Sequence, residues 1–129
     1  MQGNKGNSGL KSILIVDDDP GIIDLFKEMF EMEGIQVFSA MTGQEALNEF
    51  RRVPCDYVLT DIVMPGELDG LEVILEIRDM NPNVKIFAMT GDADPSETKG
   101  YLDVAEVFGA EEVFQKPLSP QTIIDKIVA

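Results

Sequence analysis

The sequence contains no histidine, and this absence removes more chemistry than any other. It excludes Ser-His-Asp and Cys-His catalysis, along with most zinc sites, which depend on imidazole ligands. Nor can the chain donate a phosphoryl group from a histidine of its own. Its single cysteine, Cys55, cannot form an intramolecular disulfide, which fits a reducing, cytoplasmic setting. Without a histidine to activate it, Cys55 reads as a small buried or edge residue ahead of a strand, not as a nucleophile. Basic residues are scarce: 10 Lys and Arg stand against 24 Asp and Glu, a net charge of -14. That balance argues against direct nucleic-acid binding and against docking on anionic membranes. No apolar run approaches the ~20 residues of a membrane-spanning helix. Met1 to Gly9 is rich in Gly, Asn and Ser and lacks an apolar segment, so residues 1–10 read as a flexible tail or expression remnant and not as a signal peptide. The remainder, residues 11–129, has the length of one domain around one core.

What is present is a repeated pattern. Four short apolar runs each stop at a chemically active side chain. Ile13-Leu14-Ile15-Val16 runs into Asp17-Asp18-Asp19, and Tyr57-Val58-Leu59-Thr60 into Asp61. Ile86-Phe87-Ala88-Met89 ends at Thr90, and Val113-Phe114-Gln115 at Lys116-Pro117. Carboxylates repel one another, so three in a row need a reason. In an open parallel sheet the carboxyl ends of the strands are where ligands bind. Acid, acid, hydroxyl and amine converging at one sheet edge suit a metal ion and a phosphoryl group.

The elements between these runs alternate. Ser12 to Val16 reads as a buried strand. Asp19 caps a helix with Pro20 in its first turn and Ile22, Ile23, Phe26, Met29 and Phe30 at helical spacing, and Gly34 stops it. Gln36 to Ala40 is a second strand, and Thr42-Gly43-Gln44-Glu45 is a capping box opening a second helix. Asp56 to Thr60 is the third strand, followed by a loop over Met64-Pro65-Gly66-Glu67-Leu68-Asp69-Gly70 and a third helix ending near Asn81-Pro82. Val84 to Met89 is the fourth strand, Pro95 to Phe108 a fourth helix weakened by Gly100, and Glu112 to Gln115 the fifth strand. Ser119-Pro120 opens the last helix. Five strands alternating with five helices imply an α/β fold, a doubly wound parallel sheet covered on both faces.

In these motifs the chain resembles the receiver domain of two-component response regulators, over roughly residues 11 to 129. The resemblance rests on Asp17-Asp18, Asp61 with Met64-Pro65 and Asp69-Gly70 after it, Thr90, and Lys116-Pro117, in that order and each at a strand end. It implies a flavodoxin-like fold with strand order 2-1-3-4-5. It further implies that Asp61 takes a phosphoryl group from a phosphohistidine on a sensor histidine kinase or a histidine phosphotransfer protein, and that the signal passes to an effector domain or protein. Asp18, Asp61 and the backbone carbonyl of Val63 would bind Mg²⁺, with Asp17 acting through a coordinated water. Thr90 and Lys116 would meet the phosphoryl oxygens, assisted by the backbone amide of Gly91. The charges agree: three carboxylates carry about -3, which Mg²⁺ and Lys116 balance. This oxygen-rich ligand set is the kind Mg²⁺ prefers. The chain departs from the family pattern in a longer loop at Gly66-Glu67, a longer stretch between Thr90 and Lys116, and Val113 where an aromatic switch residue is usual.

Other readings compete. An EF-hand loop beginning at Asp17 fails because Ile22 stands where glycine is needed. Asp19 needs nothing beyond its role as a helix cap. A small haloacid-dehalogenase-type phosphatase also uses an aspartate nucleophile, Mg²⁺, Thr and Lys. Its lysine, however, precedes the last acidic motif, whereas Lys116 follows Gly91-Asp92. A flavodoxin-like nucleotide or flavin binder would place phosphate where Asp17, Asp18 and Asp19 repel it. A pseudo-receiver serving only protein interaction would not need the full set of site residues.

Overall fold

A computed structural model describes residues 10–63, 69–91 and 103–128. Strand β1, Ser12–Val16, is fully buried from Ile13 onward. A strand apolar on both faces must be covered on both faces, so β1 belongs in the interior of a sheet. It pairs in parallel with β2, Gln36–Ala40, on one side and with β3, Tyr57–Asp61, on the other. Strand β4, Lys85–Thr90, lies beyond β3, and β5, Glu112–Gln115, forms the far edge. The order β2-β1-β3-β4-β5 is that of the flavodoxin-like fold.

Alternation along each strand sorts the core into two layers. Leu14, Val16, Val58, Ile86 and Ala88 face α2 (Gly43–Arg52), α3 (Gly70–Met80) and the helical residues 103–108, here α4. Ile13, Ile15, Leu59, Phe87 and Met89 face α1 (Pro20–Met32) and α5 (Pro120–Val128). From the second layer Phe26 and Phe30 of α1 stack with Ile123, Ile124 and Ile127 of α5 over the sheet.

The caps follow local chemistry. Asp19 accepts from the amide of Gly21 at 2.8 Å ahead of α1, with Pro20 in the first turn. Gly34 takes a φ of 80°, in the left-handed region, as α1 ends. Thr42 accepts from the Glu45 amide at 3.1 Å, and Glu45 reaches back to the amide of Met41 at 3.1 Å, a capping box displaced by one residue. Asp69 caps α3 through the amide of Glu72 at 3.0 Å.

The limits of two strands, β3 and β4, differ from the sequence reading. β3 begins at Tyr57 because the Asp56 side chain is taken by Ser12, whose amide and hydroxyl donate to it at 3.0 and 3.2 Å. It then continues through Asp61, and β4 likewise runs on through Thr90, so both reactive residues are the last of their strands. The loop at Met64-Pro65 and the start of the fourth helix at Pro95 lie outside the described residues, as does the tail before Leu10.

Candidate functional site

The parallel sheet brings the ends of β1, β3, β4 and β5 to one edge. Asp17 follows the last residue of β1 and is fully buried, and Asp61 closes β3 at 5% exposure. Carboxylate oxygens of Asp17, Asp18 and Asp61 all lie within 4.8 Å of one another, with Asp18 on the solvent side. Among the described residues this is the one cluster of three potential metal ligands. Its donors are hard oxygens with an open, exposed flank, which fits a cation that keeps part of its water shell.

Lys116 follows β5 and reaches across the sheet edge. Its ammonium donates to Asp17 Oδ2 at 2.7 Å and to Asp61 Oδ2 at 3.0 Å. The second oxygen of each carboxylate is held by backbone. Asp17 Oδ1 accepts from the Asp19 amide at 2.9 Å, and Asp61 Oδ1 from the Val63 amide at 3.3 Å. Val63, the residue expected to lend a carbonyl, therefore sits at the mouth of the site, its side chain half exposed.

One ammonium is shared between two buried carboxylates. Burial holds the Asp61 carboxyl above the ordinary aspartate range. Lys116 pulls it back down, and the charge of Asp17 adds to the rise. Burial works against the Lys116 ammonium, but its bonds to Asp17 and Asp61 outweigh it and raise the lysine. Lys116 is thus held ionised, while Asp61 remains short of positive charge.

Thr90 is fully buried, and among the described residues its hydroxyl has no hydrogen-bond partner. Buried hydroxyls are nearly always paired, so an unpaired one at a strand end marks a place for an incoming acceptor. Gly91 follows at the rim, where, among the described residues, a side-chain carbon would meet only the stem of Lys116 at 3.8 Å. Backbone also links the two strand ends, the Lys116 amide donating to the Thr90 carbonyl at 2.7 Å. Every residue singled out from the sequence for the site is therefore in one place. Beside it runs a groove of about 290 Å³ lined by Ile22, Leu25, Phe26 and Met89 together with Lys116, Pro117 and Leu118.

Three features escaped the sequence reading. Lys116 bridges two carboxylates instead of waiting alone for a phosphoryl oxygen. Gly70, read as a turn residue, is a point of close approach: a side-chain carbon there would overlap the Asp61 carbonyl and lie 2.5 Å from Ile62 Cα. Arg78 ties two turns together by donating to the carbonyls of Val84 at 2.6 Å and Gly109 at 2.8 Å.

Comparison with known proteins gives a consistent result. The family profile described as the response regulator receiver domain matches residues 13–128. The sporulation initiation phosphotransferase F of Bacillus subtilis is 34% identical over 120 residues, covering 91% of this chain and 90% of that protein. The response regulator GtcR of Aneurinibacillus migulanus is 33% identical over 92% of this chain, which spans only 47% of that longer protein. Among solved structures, a CheY-like receiver domain protein from Methanospirillum hungatei superposes with a TM-score of 0.81 at 32% identity, covering 92% of this chain and 91% of its own. The receiver domain of NtrX from Brucella abortus gives 0.80 at 26% identity, covering 90% of this chain and 94% of its own.

Proposed function

Because this chain belongs to the response regulator receiver domain family, we propose that Asp61 is its phosphoacceptor and that Asp17, Asp18, Asp61 and the Val63 carbonyl hold Mg²⁺ beside it. The observation that carries this reading is Lys116, whose ammonium lies within hydrogen-bond reach of both Asp17 and Asp61. It gathers the carboxylates into one site that is still short of positive charge. Membership of this family, whose relatives named above act in phosphotransfer and regulation, displaces the haloacid-dehalogenase phosphatase reading.

The donor is a phosphohistidine on a sensor kinase or phosphotransfer protein, since the chain has no histidine of its own. An Asp61 carboxylate oxygen forms the new P–O bond as the P–N bond of the donor breaks. The imidazole nitrogen leaves with the electron pair and is neutral or takes a proton from solvent. A carboxylate already ionised needs no general base, so positioning and charge stabilisation supply the catalysis. Asp17, Asp18, Asp61 and the Val63 carbonyl would hold the Mg²⁺, which would supply positive charge against the phosphoryl oxygens and the carboxylates. Thr90 Oγ1 donates to one phosphoryl oxygen, and the Gly91 amide supports another. Lys116 transfers part of its pairing from Asp61 to the phosphoryl group. Hydrolysis of the acyl phosphate at the same site resets the domain. The apolar groove beside Lys116, with the half-exposed Leu25 on its rim, suits an apolar helix face presenting the donor histidine. A kinase fuelled by cytoplasmic ATP would fit a cytoplasmic domain; among the described residues no helix is long and apolar enough to cross a membrane.

The decisive experiment is intact mass after incubation with acetyl phosphate and Mg²⁺. Wild type should gain about one phosphoryl group, labile to hydroxylamine, and Asp61→Asn should gain none. Hydroxylamine-sensitive labelling that persists in the variant would refute the assignment.

A further inference from the structure

Two threonines face the same apolar layer at the reactive edge of the sheet, and they are treated differently. Thr90 keeps its hydroxyl free among the described residues, whereas Thr60 does not. Thr60 is fully buried, in register with Val16 on one side and Ala88 on the other. This slot has the shape of a valine, and a hydroxyl placed there must be paired or costs stability. Thr60 Oγ1 donates at 3.0 Å to the carbonyl oxygen of the next residue, Asp61.

That carbonyl is confined from a second direction. Gly70, at the start of α3, approaches so closely that any side-chain carbon would overlap it. Immediately beyond, the Ile62 amide donates to the Met89 carbonyl at 2.8 Å, and the Ile62 carbonyl accepts from the Gly70 amide at 2.8 Å. The peptide leaving Asp61 thus has little freedom, and the same short stretch sets the Asp61 carboxylate and leads to Val63.

We propose that Thr60 is a positioning residue for the site: its hydroxyl fixes the Asp61 carbonyl and so orients the Asp61 carboxylate and the Val63 carbonyl toward the cation. The proposal builds on the reading of Asp61 as phosphoacceptor and metal ligand. Thr60 touches neither the cation nor the phosphoryl group and acts only through the backbone of its neighbour.

The test compares full-length Thr60→Val, Thr60→Ser and Thr60→Ala by Mg²⁺ titration calorimetry, amide NMR without metal, and thermal melting. Valine fills the slot, so Thr60→Val should melt close to wild type. Its Mg²⁺ Kd should nevertheless be about tenfold weaker, the low end of what is lost when a group behind a metal ligand is removed. The amides of Ile62 and Val63 should shift before any metal is added. Thr60→Ser keeps the hydroxyl and should restore both affinity and shifts. Thr60→Ala, which adds no new methyl, provides the same reading should the valine variant fold poorly. Wild-type Mg²⁺ affinity in either hydroxyl-free variant would overturn the proposal. So would a serine variant as weak as valine, because the methyl and not the hydroxyl would then matter. Failure of the Asp61 reading shows separately, as a wild-type chain that gains no phosphoryl mass. The titration and amide shifts decide the role of Thr60 in either case.

Discussion

Lys116 Nζ lies 2.7 Å from Asp17 Oδ2, nearer than its 3.0 Å to Asp61, so the lysine is anchored more closely on the carboxylate that is not the proposed phosphoacceptor. This asymmetry lets Lys116 loosen from Asp61 without leaving the site. It also makes Lys116 the standing counter-charge of two buried carboxylates. Lys116→Met should therefore destabilise the metal-free protein by about 3 kcal/mol, the low end for breaking a buried pair, because the lysine is partly exposed. Mg²⁺ should recover much of that loss. Melting in EDTA and in Mg²⁺ checks it: the metal should raise the melting temperature more in the variant than in wild type. Equal metal effects in both proteins would contradict the shared-charge account.

Asp18 and Asp19 are adjacent, exposed and chemically identical, yet their surroundings differ. Asp18 belongs to the oxygen cluster, whereas Asp19 accepts from the Gly21 amide as a helix cap. Asparagine caps helices as well as aspartate does, so Asp19→Asn should leave both stability and Mg²⁺ affinity nearly unchanged. Asp18→Asn should weaken Mg²⁺ binding by about tenfold or more, through loss of a charged ligand. Calorimetric titration of the two variants side by side decides the matter, and equal affinities would remove Asp18 from the site.

The unpaired hydroxyl of Thr90 separates stability from function. Thr90→Val is close to isosteric and removes a buried group without a partner among the described residues. Melting should be unchanged or shifted upward, since an unmade buried hydrogen bond is a liability. Acyl-phosphate formation from acetyl phosphate should fall by roughly a hundredfold, the usual effect of losing one donor to developing charge. A variant that phosphorylates at the wild-type rate would show that Thr90 does not contact the phosphoryl group.

Cys55 gives a pH test outside the site. Burial pushes its thiol up to about 11, with the nearby Ser12 hydroxyl opposing the rise and the charges of Asp56 and Glu49 adding to it. The folded chain therefore keeps the proton after the unfolded chain has lost it. The corresponding stability is fully present below the ordinary thiol value of 9.0 and is lost as pH rises from there through about 11. Between about pH 8 and about pH 10 the urea midpoint should fall more for wild type than for Cys55→Ala, which has no thiol to ionise. Parallel declines would mean that the thiol is not held protonated by the fold.

The sequence exposes the site because each reactive residue directly follows an apolar run of its own. Asp17, Asp61, Thr90 and Lys116 are located by strand pattern, and a parallel sheet leaves their strands only one edge at which to end. What it conceals depends on pairs far apart in the chain. Lys116 meets Asp17 across 99 positions, and no local signal distinguishes a lysine that bridges two carboxylates from one that awaits a ligand. Gly70 looks like any turn glycine, because its close approach is to the end of another element. Arg78 looks like an ordinary helix-surface arginine until the turn at Gly109 folds back onto it. Val113 lies half-buried beside Ala88 on the face shared with Thr90, a β-branched side chain stiff at χ1.

The bond from the Gly70 amide to the Ile62 carbonyl also works as a clasp. It fastens both ends of the connection between β3 and α3, so the length of chain in between is independent of where the ends are set. Closing a loop becomes harder only with the logarithm of its length, about 0.6 kcal/mol for each doubling. One extra residue at Gly66-Glu67 is therefore nearly free. The connection can be lengthened or rewritten while Asp61 stays where the sheet put it.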